Sequence, residues 1–305
     1  MTLNLPDRVH LIEVGLRDGL QMEAVVIPTS LKRDILAGLE SAGFGMIQVA
    51  AFVNPKIVPQ MADADTLAAT LSKKSNTIYN ALVLNPRGLE RAVQAGIASV
   101  EISVSSSDTH SRKNAGRSRN QAMSESLEMV RMALDSGLHV RAGIQSAFGC
   151  AYEGSIAQDQ VLETATRFLA LDIHQLAIAD TTGMATPLSV KTLLGQLMPL
   201  AASIPVALHL HDTHGLGLAN VVAAMECGVT HFDTAFGGLG GCPFVPGAAG
   251  NISTEQTVRM MTKMNIQTGI DATKVSICTR RLKSYIEKGT YKTVQNGDVR
   301  QNISF

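Results

Sequence analysis

Eight short apolar runs, spaced along the whole chain, constrain the fold more than any other feature of this sequence. Val and Ile recur in these runs, and most of the runs are too continuously apolar for a strand with one solvent-exposed face. Such runs are typical of parallel strands that are covered on both faces. The predicted strands are residues 9–14, 46–49, 78–82, 99–104, 140–144, 175–179, 206–210 and 231–235.

Helical patterns lie between these predicted strands. Leu31, Ile35 and Leu39 recur at the spacing of one helix face. Several of the helices end in a glycine shortly before the next strand, as at Gly43 and Gly96. Glycine there supplies the left-handed residue that ends a helix. Strands and helices therefore alternate, as in right-handed βαβ units.

Two architectures accommodate this alternation, a closed eight-stranded barrel and an open doubly wound sheet. The strand count and the length of 305 residues favour the barrel. The open sheet would need a glycine-rich phosphate turn after its first strand, whereas residues 17–21 read Arg-Asp-Gly-Leu-Gln. We therefore predict one α/β domain over residues 1–305, a (β/α)8 TIM barrel whose short C-terminal helical extension covers about residues 270–305.

Composition excludes several classes of protein. The formal net charge is zero, so the chain lacks the basic surface that nucleic acid binding requires. No apolar stretch approaches the roughly 20 residues that span a membrane, and the first residues lack the pattern of a secretory signal. Four cysteines in 305 residues do not make a disulfide framework. We expect a cytoplasmic protein that binds neither nucleic acid nor membranes.

A pair of histidines, His209 and His211, ends the seventh predicted strand. Strand side chains alternate, so both imidazoles face the same side, and barrel active sites lie at this end of the strands. Two adjacent imidazoles are a metal-ligand arrangement, although a strand-end histidine also commonly bonds a neighbouring loop. Asp18 and Asn251 would add oxygen ligands. This set favours Mg²⁺, Mn²⁺ or another ion of intermediate hardness over structural zinc.

Other candidate side chains have ordinary structural interpretations beside the functional ones. Arg17 offers a fixed cation for a developing oxyanion, or a structural salt bridge. Asn251 stands just before a predicted helix and is also a candidate helix cap. Cys242 lies in a loop, residues 237–251, whose six glycines allow it to open and close. A thiol on such a loop can act as an acid or base when the loop is closed.

The remaining cysteines carry weaker signals. Cys150 follows a glycine near the end of the fifth βα unit, which places it near the barrel mouth. Cys227 and Cys278 lie in helical segments, where a buried free thiol behaves as a small apolar side chain.

Three segments together resemble the 3-hydroxy-3-methylglutaryl-CoA lyase family, the lyase branch of the Asp-Arg-Glu barrel metallolyases. They are Arg17-Asp18-Gly19-Leu20-Gln21, the His209-x-His211 strand, and the glycine-rich loop with Gly238-Leu239-Gly240-Gly241-Cys242-Pro243 and residues 246–251. The resemblance runs along nearly the whole chain, including residues 52–61 and 149–154. The arginine–aspartate element alone is shared with related synthases, such as those that make isopropylmalate, whereas the cysteine loop is specific to the lyases.

The resemblance implies a metal-dependent retro-Claisen cleavage of an acyl-CoA thioester to acetyl-CoA and a keto acid. It implies that a divalent ion, Mg²⁺ or Mn²⁺, is held by Asp18, His209, His211 and Asn251. The implied catalytic residues are Arg17, which stabilises an enolate oxygen, Cys242 and His209, which assist proton transfer, and Asp180. Gln48, at the position of a family glutamate, is counted with them.

The resemblance also suggests a homodimer. The substrate-binding positions that we infer along the matched segments are Gln21, Asn54, Arg141 and Gln145.

The chain departs from the family pattern in one region. Gln48 stands where the family has the Glu of the shared Asp–Arg–Glu set; it can still accept a hydrogen bond from Arg17, but it carries no charge. Gly143 and Gln145 stand where the family usually has Tyr and Ser, and Ala24 where it has Lys. An altered acyl substrate would require such changes, and a loss of activity would also leave them behind.

Three other activities stay open on the sequence alone. One is a synthase that joins acetyl-CoA to a 2-oxo acid, which the cysteine loop disfavours. Another is a degenerate homologue with little turnover, which Gln48 favours. The third is a cysteine hydrolase built on Cys242 and His214, which would survive metal chelation.

Overall fold

The computed structural model describes residues 5–72, 75–242 and 245–295, apart from the side chains of residues 242, 245–248 and 289–295. Eight parallel strands form a closed barrel in the order β1 to β8, and β8 is hydrogen-bonded back to β1. The strands are β1 His10–Glu13, β2 Met46–Ala51, β3 Ile78–Val83, β4 Ser99–Ser105, β5 His139–Gln145, β6 Gln175–Asp180, β7 Val206–Leu210 and β8 His231–Thr234. The predicted barrel is confirmed, and every predicted strand ends within two residues of the observed one.

Helices connect consecutive strands and cover the outside of the barrel. They are α1 Thr29–Ser41, α2 Ala64–Ala68, α3 Pro86–Gln94, α4 Asp108–Ala115, α5 Arg119–Asp135, α6 Gln158–Leu169, α7 Pro187–Ala201 and α8 Gly217–Glu226. The glycines predicted to end helices have positive φ angles, for example 100° at Gly43 and 78° at Gly96. These positions therefore have the left-handed backbone that the sequence predicted.

The apolar core lies between the barrel and its helices, whereas the barrel interior is polar. On β4, Val100 and Ile102 are buried in the core, and the alternate residue Glu101 forms an ion pair with Arg141 of β5. Arg141 also pairs with Asp233 of β8, at 2.6 Å between Nη2 and Oδ2. Because β5 and β8 are not neighbours in the sheet, this second pair spans the interior of the barrel.

In the described part of the chain, two α-helices follow the eighth strand, α9 Thr254–Lys263 and α10 Ala272–Gln295. On α10, the Lys274 ammonium donates to the carbonyl oxygen of Ser41 at the end of α1 (2.7 Å), and Cys278 is buried against the same helix. The predicted C-terminal helical extension is confirmed as far as Gln295; residues 296–305 lie outside the described part of the chain. Among the described helices, none has the length and apolarity needed to cross a membrane.

Candidate active site

A short π-helical turn, Gly15–Gly19, directly follows β1 and carries Arg17 and Asp18 to the carboxyl end of the barrel. The carbonyl oxygen of Val14 accepts hydrogen bonds from the backbone N–H groups of Arg17 (3.1 Å) and Asp18 (2.8 Å). The guanidinium of Arg17 is buried and donates from Nη1 to the Asp18 carboxylate. The turn therefore presents a cation and a carboxylate side by side.

Asp18 converges with the two strand-end histidines. One ligand atom from each of Asp18, His209 and His211 can be chosen such that all lie within 4.8 Å of one another. The two Nε2 atoms of the histidines are 3.2 Å apart, and Oδ2 of Asp18 lies 3.8 Å from the first and 3.9 Å from the second. The predicted convergence of these three residues is confirmed.

Asn251 completes the group, and its contacts leave one atom free. An isolated β-bridge pairs Asn251 with His211, and Nδ2 of Asn251 donates to Asp18 Oδ2 (2.7 Å) and to the carbonyl oxygen of Leu239 (3.0 Å). Its Oδ1 is buried and has no hydrogen-bond partner in the described part of the chain. The alternative role as a helix cap is wrong, because Ser253 caps α9 by accepting from the backbone N–H of Gln256.

The electrostatics of the group suit a divalent cation. Burial alone would raise the pKa of Asp18, but Arg17, with smaller contributions from both histidines, lowers it well below its usual range. Burial, reinforced by the neighbouring His209, lowers the pKa of His211 to about 4. At neutral pH the site therefore offers a carboxylate, a neutral imidazole and an unpaired amide oxygen. A ligand set of oxygens and imidazole nitrogens fits an ion of intermediate hardness.

His209 is oriented by a carboxylate that the sequence reasoning missed. Its Nδ1 lies 3.1 Å from Oδ2 of Asp233, so Nε2 is the ring nitrogen that faces the other ligands. Burial lowers the pKa of His209, but the hydrogen bond to Asp233 and the charge of Asp18 outweigh burial and raise it. The signal that could have identified Asp233 is a carboxylate in the middle of a predicted barrel strand.

Gln48 accepts the hydrogen bond that was expected from Arg17, with Oε1 facing the guanidinium Nε. Its Nε2 donates to Asn80 Oδ1 (2.7 Å) and to Glu101 Oε2 (2.9 Å). Glu101 and Asn80 did not emerge from the sequence. Gln48 is thus a bridge between the arginine at the barrel mouth and a carboxylate on β4.

Asp180 ends β6 and is buried, but its carboxylate is already engaged. It accepts from the backbone N–H groups of Met184 (2.8 Å) and Ala185 (3.1 Å), and burial raises its pKa to about 6. These contacts shape the loop after β6. A catalytic role for Asp180 stays a prediction.

The predicted substrate-binding residues occupy different environments. Arg141 is buried inside the barrel. Gln21 and Gln145 are half-buried, and Asn54 is exposed, with its Oδ1 accepting from the backbone N–H of Lys56 (3.0 Å). Substrate contact at these four positions stays a prediction.

The catalytic cysteine predicted from the sequence is described only by its backbone. Cys242 belongs to the short strand β9 Gly241–Cys242, which pairs with β10 Val245–Ala249 in the loop after β8; its side chain lies outside the described atoms. Among the other thiols, Cys150 and Cys278 are buried and Cys227 is half-buried at the end of α8, so the core placement of Cys227 was only partly right. His214, the partner required by a cysteine hydrolase, is exposed.

The fold and the site define a class, the (β/α)8-barrel enzymes in which side chains of metal-ligating types converge at the carboxyl ends of β1 and β7. A family model described as HMGL-like matches residues 8–280. The chain belongs to this family of carbon–carbon lyases.

Known relatives agree with this assignment. The chain is 38% identical over 270 residues to a hydroxymethylglutaryl-CoA lyase of Bacillus subtilis (88% of this chain, 90% of the relative). It is 37% identical over 271 residues to the cytoplasmic 3-hydroxy-3-methylglutaryl-CoA lyase of Rattus norvegicus (89% and 79%). The solved structure of an HMG-CoA lyase from Acinetobacter baumannii with coenzyme A and 3-methylmalate superposes with a TM-score of 0.87, at 37% identity and 92% coverage of both chains.

Proposed function

We propose that this chain cleaves 3-hydroxy-3-methylglutaryl-CoA, or a closely related 3-hydroxyacyl-CoA, to acetyl-CoA and a keto acid. The observation that carries the proposal is the group of Asp18, His209, His211 and the unpaired Asn251 Oδ1, beside the buried cation of Arg17. The coenzyme A named with the Acinetobacter baumannii relative supports an acyl-CoA thioester as the substrate.

These four residues would hold a divalent ion, Mg²⁺ or Mn²⁺. When bound, such an ion supplies Lewis acidity, which lowers the pKa of a substrate hydroxyl and orients it beside the carbonyl group. The proton of that hydroxyl passes to a water beside His209, because Nδ1 of His209 faces Asp233 and its Nε2 would hold the ion.

Bond cleavage follows loss of that proton. The C2–C3 bond breaks, C3 becomes the carbonyl carbon of the keto product, and the electron pair passes to the thioester as an enolate. Arg17 stabilises the enolate oxygen; no described residue accepts a hydrogen bond from its Nη2. Cys242, on the loop after β8, assists reprotonation of the enolate carbon, which completes acetyl-CoA.

The experiment that tests the proposal measures acetyl-CoA release from 3-hydroxy-3-methylglutaryl-CoA with Mg²⁺, with Mn²⁺ and after EDTA. We expect chelation, Asp18→Ala and His211→Ala each to lower kcat by about a thousand-fold, since metal-ion catalysis supplies several kcal/mol of transition-state stabilisation. His214→Ala is the matched control, an exposed histidine three residues from His211, and should leave kcat unchanged.

Two results would contradict the proposal. Turnover that survives both chelation and Asp18→Ala would show that the reaction does not depend on a metal ion. It would favour the alternative of a cysteine hydrolase. Product formed only from acetyl-CoA and a 2-oxo acid would show that the chain is a condensing synthase and not a lyase.

We also infer a cytoplasmic homodimer. The name of the rat relative supports the compartment, and the family resemblance supports the dimer. Light scattering on the purified chain tests the oligomeric state.

A further inference from the structure

A chain of polar contacts runs through the barrel interior from Arg17 to His209, and Glu101 lies at its centre. Oε2 of Glu101 accepts from Gln48 Nε2 (2.9 Å) and lies 3.1 Å from Nε of Arg141. Gln48 in turn accepts from Arg17, and Arg141 pairs with Asp233, which holds His209. Glu101 is therefore the carboxylate that connects the arginine of the active site to the ligand histidine.

Gln48 suits its place between Arg17 and Glu101 because it is an amide. A guanidinium only donates hydrogen bonds and a carboxylate only accepts them, so the residue between them must accept on one side and donate on the other. A glutamate at position 48 could accept from Arg17, but it would put two carboxylate oxygens about 2.9 Å apart. Two buried carboxylates at that distance repel each other.

The glycine at position 143 is explained by the same carboxylate. A Cβ atom built on Gly143 would lie 2.8 Å from Oγ of Ser103 and 3.1 Å from Oε1 of Glu101. Ser103 Oγ also donates to Glu101 Oε1 (3.1 Å), so neither group is free to withdraw without losing that hydrogen bond. The space that a larger side chain at 143 would enter is occupied by Glu101 and Ser103.

We infer that Glu101 supplies from β4 the negative charge that the family places on β2, and that Gln48, Glu101 and Gly143 form one coupled set. Glu101 is a positioning residue: it acts through Gln48 on Arg17, and through Arg141 and Asp233 on His209. Resting on the proposed lyase function, this inference explains how the site keeps a carboxylate in the network of Arg17 although residue 48 is neutral.

The variant Gln48→Glu distinguishes this role of Glu101 from a degenerate lyase. If Gln48 were only a lost carboxylate, Gln48→Glu would restore activity. If Glu101 carries the charge, Gln48→Glu should lower kcat about 100-fold, the order expected when a buried hydrogen bond becomes a like-charge contact. KM should change much less than kcat, because Arg17 acts mainly in the transition state.

The test is a double-mutant cycle of wild type, Gln48→Glu, Glu101→Gln and Gln48→Glu/Glu101→Gln. In the double variant the two residue types exchange places and the net charge is that of the wild type. We expect its kcat to return to within about tenfold of wild type. Gln48→Glu/Glu13→Gln is the control for a buried Glu→Gln change elsewhere in the barrel, because the buried carboxyl group of Glu13 accepts from the backbone N–H groups of Gly15 and Phe236 rather than from Gln48. It should not rescue Gln48→Glu.

The same proteins are compared by thermal unfolding without substrate, which separates this inference from the proposed function. Gln48→Glu should have a lower Tm than wild type, and Glu101→Gln should raise the Tm of that variant. A wild type that releases no acetyl-CoA would refute the lyase proposal, and the Tm cycle would still decide the role of Glu101. Gln48→Glu that is as active and as stable as wild type, or a double variant no better than Gln48→Glu, would overturn the inference.

Discussion

At the scale of single residues, the contacts of a candidate ligand determine which of its atoms faces the centre of the site. His209 has two ring nitrogens, and Asp233 occupies Nδ1 at 3.1 Å. Asp233 is itself fixed by Arg141, at 2.6 Å. A carboxylate behind a ligand histidine sets its tautomer and orientation and raises its basicity.

Asp233→Asn should therefore weaken the site without removing a ligand. We expect the affinity for Mn²⁺ and kcat to fall about 10-fold to 100-fold, the range for partners of ligand histidines, because an amide carries no charge for His209 or Arg141. Calorimetric titration with Mn²⁺ measures the affinity. Asp172→Asn, which changes an exposed aspartate, is the control, and equal Mn²⁺ affinity in both variants would contradict the role assigned to Asp233.

The convergence of the candidate ligands could be predicted from the sequence, and the residues that contact them could not. His209 and His211 end a recognisable strand, and strand alternation puts them on one face. Glu101 and Asp233 stand inside buried strands, and their importance comes from partners on strands that are not adjacent in the sheet. Which residues become partners across the barrel depends on how the barrel closes and on the register of its strands. The sequence pattern does not specify that register.

At the scale of elements, apolar runs predicted the strands but not the turns that carry the site. The π-helical turn after β1 depends on Val14 accepting from three successive N–H groups, those of Arg17, Asp18 and Gly19. No hydrophobic period marks such a turn. The hairpin β9–β10 also lacks a period, since its residues are mostly glycine, alanine and proline.

The base of this hairpin holds Asn251 in place through close backbone packing. A Cβ atom on Gly250 would collide with the carbonyl group of Gly240, so Gly250→Ala should separate the two strands and displace Asn251. We expect Mn²⁺ affinity to fall about tenfold, as for other changes beside a ligand. Gly241→Ala is the control in the same hairpin, because no atom lies within 4 Å of its Cβ position. Equal metal affinity in the two variants would show that the hairpin does not position Asn251.

At the scale of the whole molecule, the C-terminal helix connects the outer layer to the active-site loop. On α10, Thr279 Oγ1 donates to Oε1 of Glu255 (2.6 Å), and Oε2 of Glu255 accepts from the backbone N–H of Gly237 (2.9 Å). The start of this helix was predictable to within about two residues, from its position after the last βα unit. Its contacts were not, because they depend on which face of α1 is left uncovered.

The helix should contribute to global stability through its buried face alone. Leu282 is fully buried, whereas Ile277 on the same helix is 51% exposed. Leu282→Ala should lower the free energy of unfolding by about 2–5 kcal/mol, the usual cost of deleting a buried leucine side chain, and Ile277→Ala should change it by about 0.5 kcal/mol or less. Urea unfolding measures both.

At temperatures well below unfolding, kcat of Leu282→Ala should stay near that of wild type, since Leu282 is an apolar side chain of α10 and is not one of the residues of the site. Equal destabilisation by the two variants would mean that α10 is not packed on the barrel in solution.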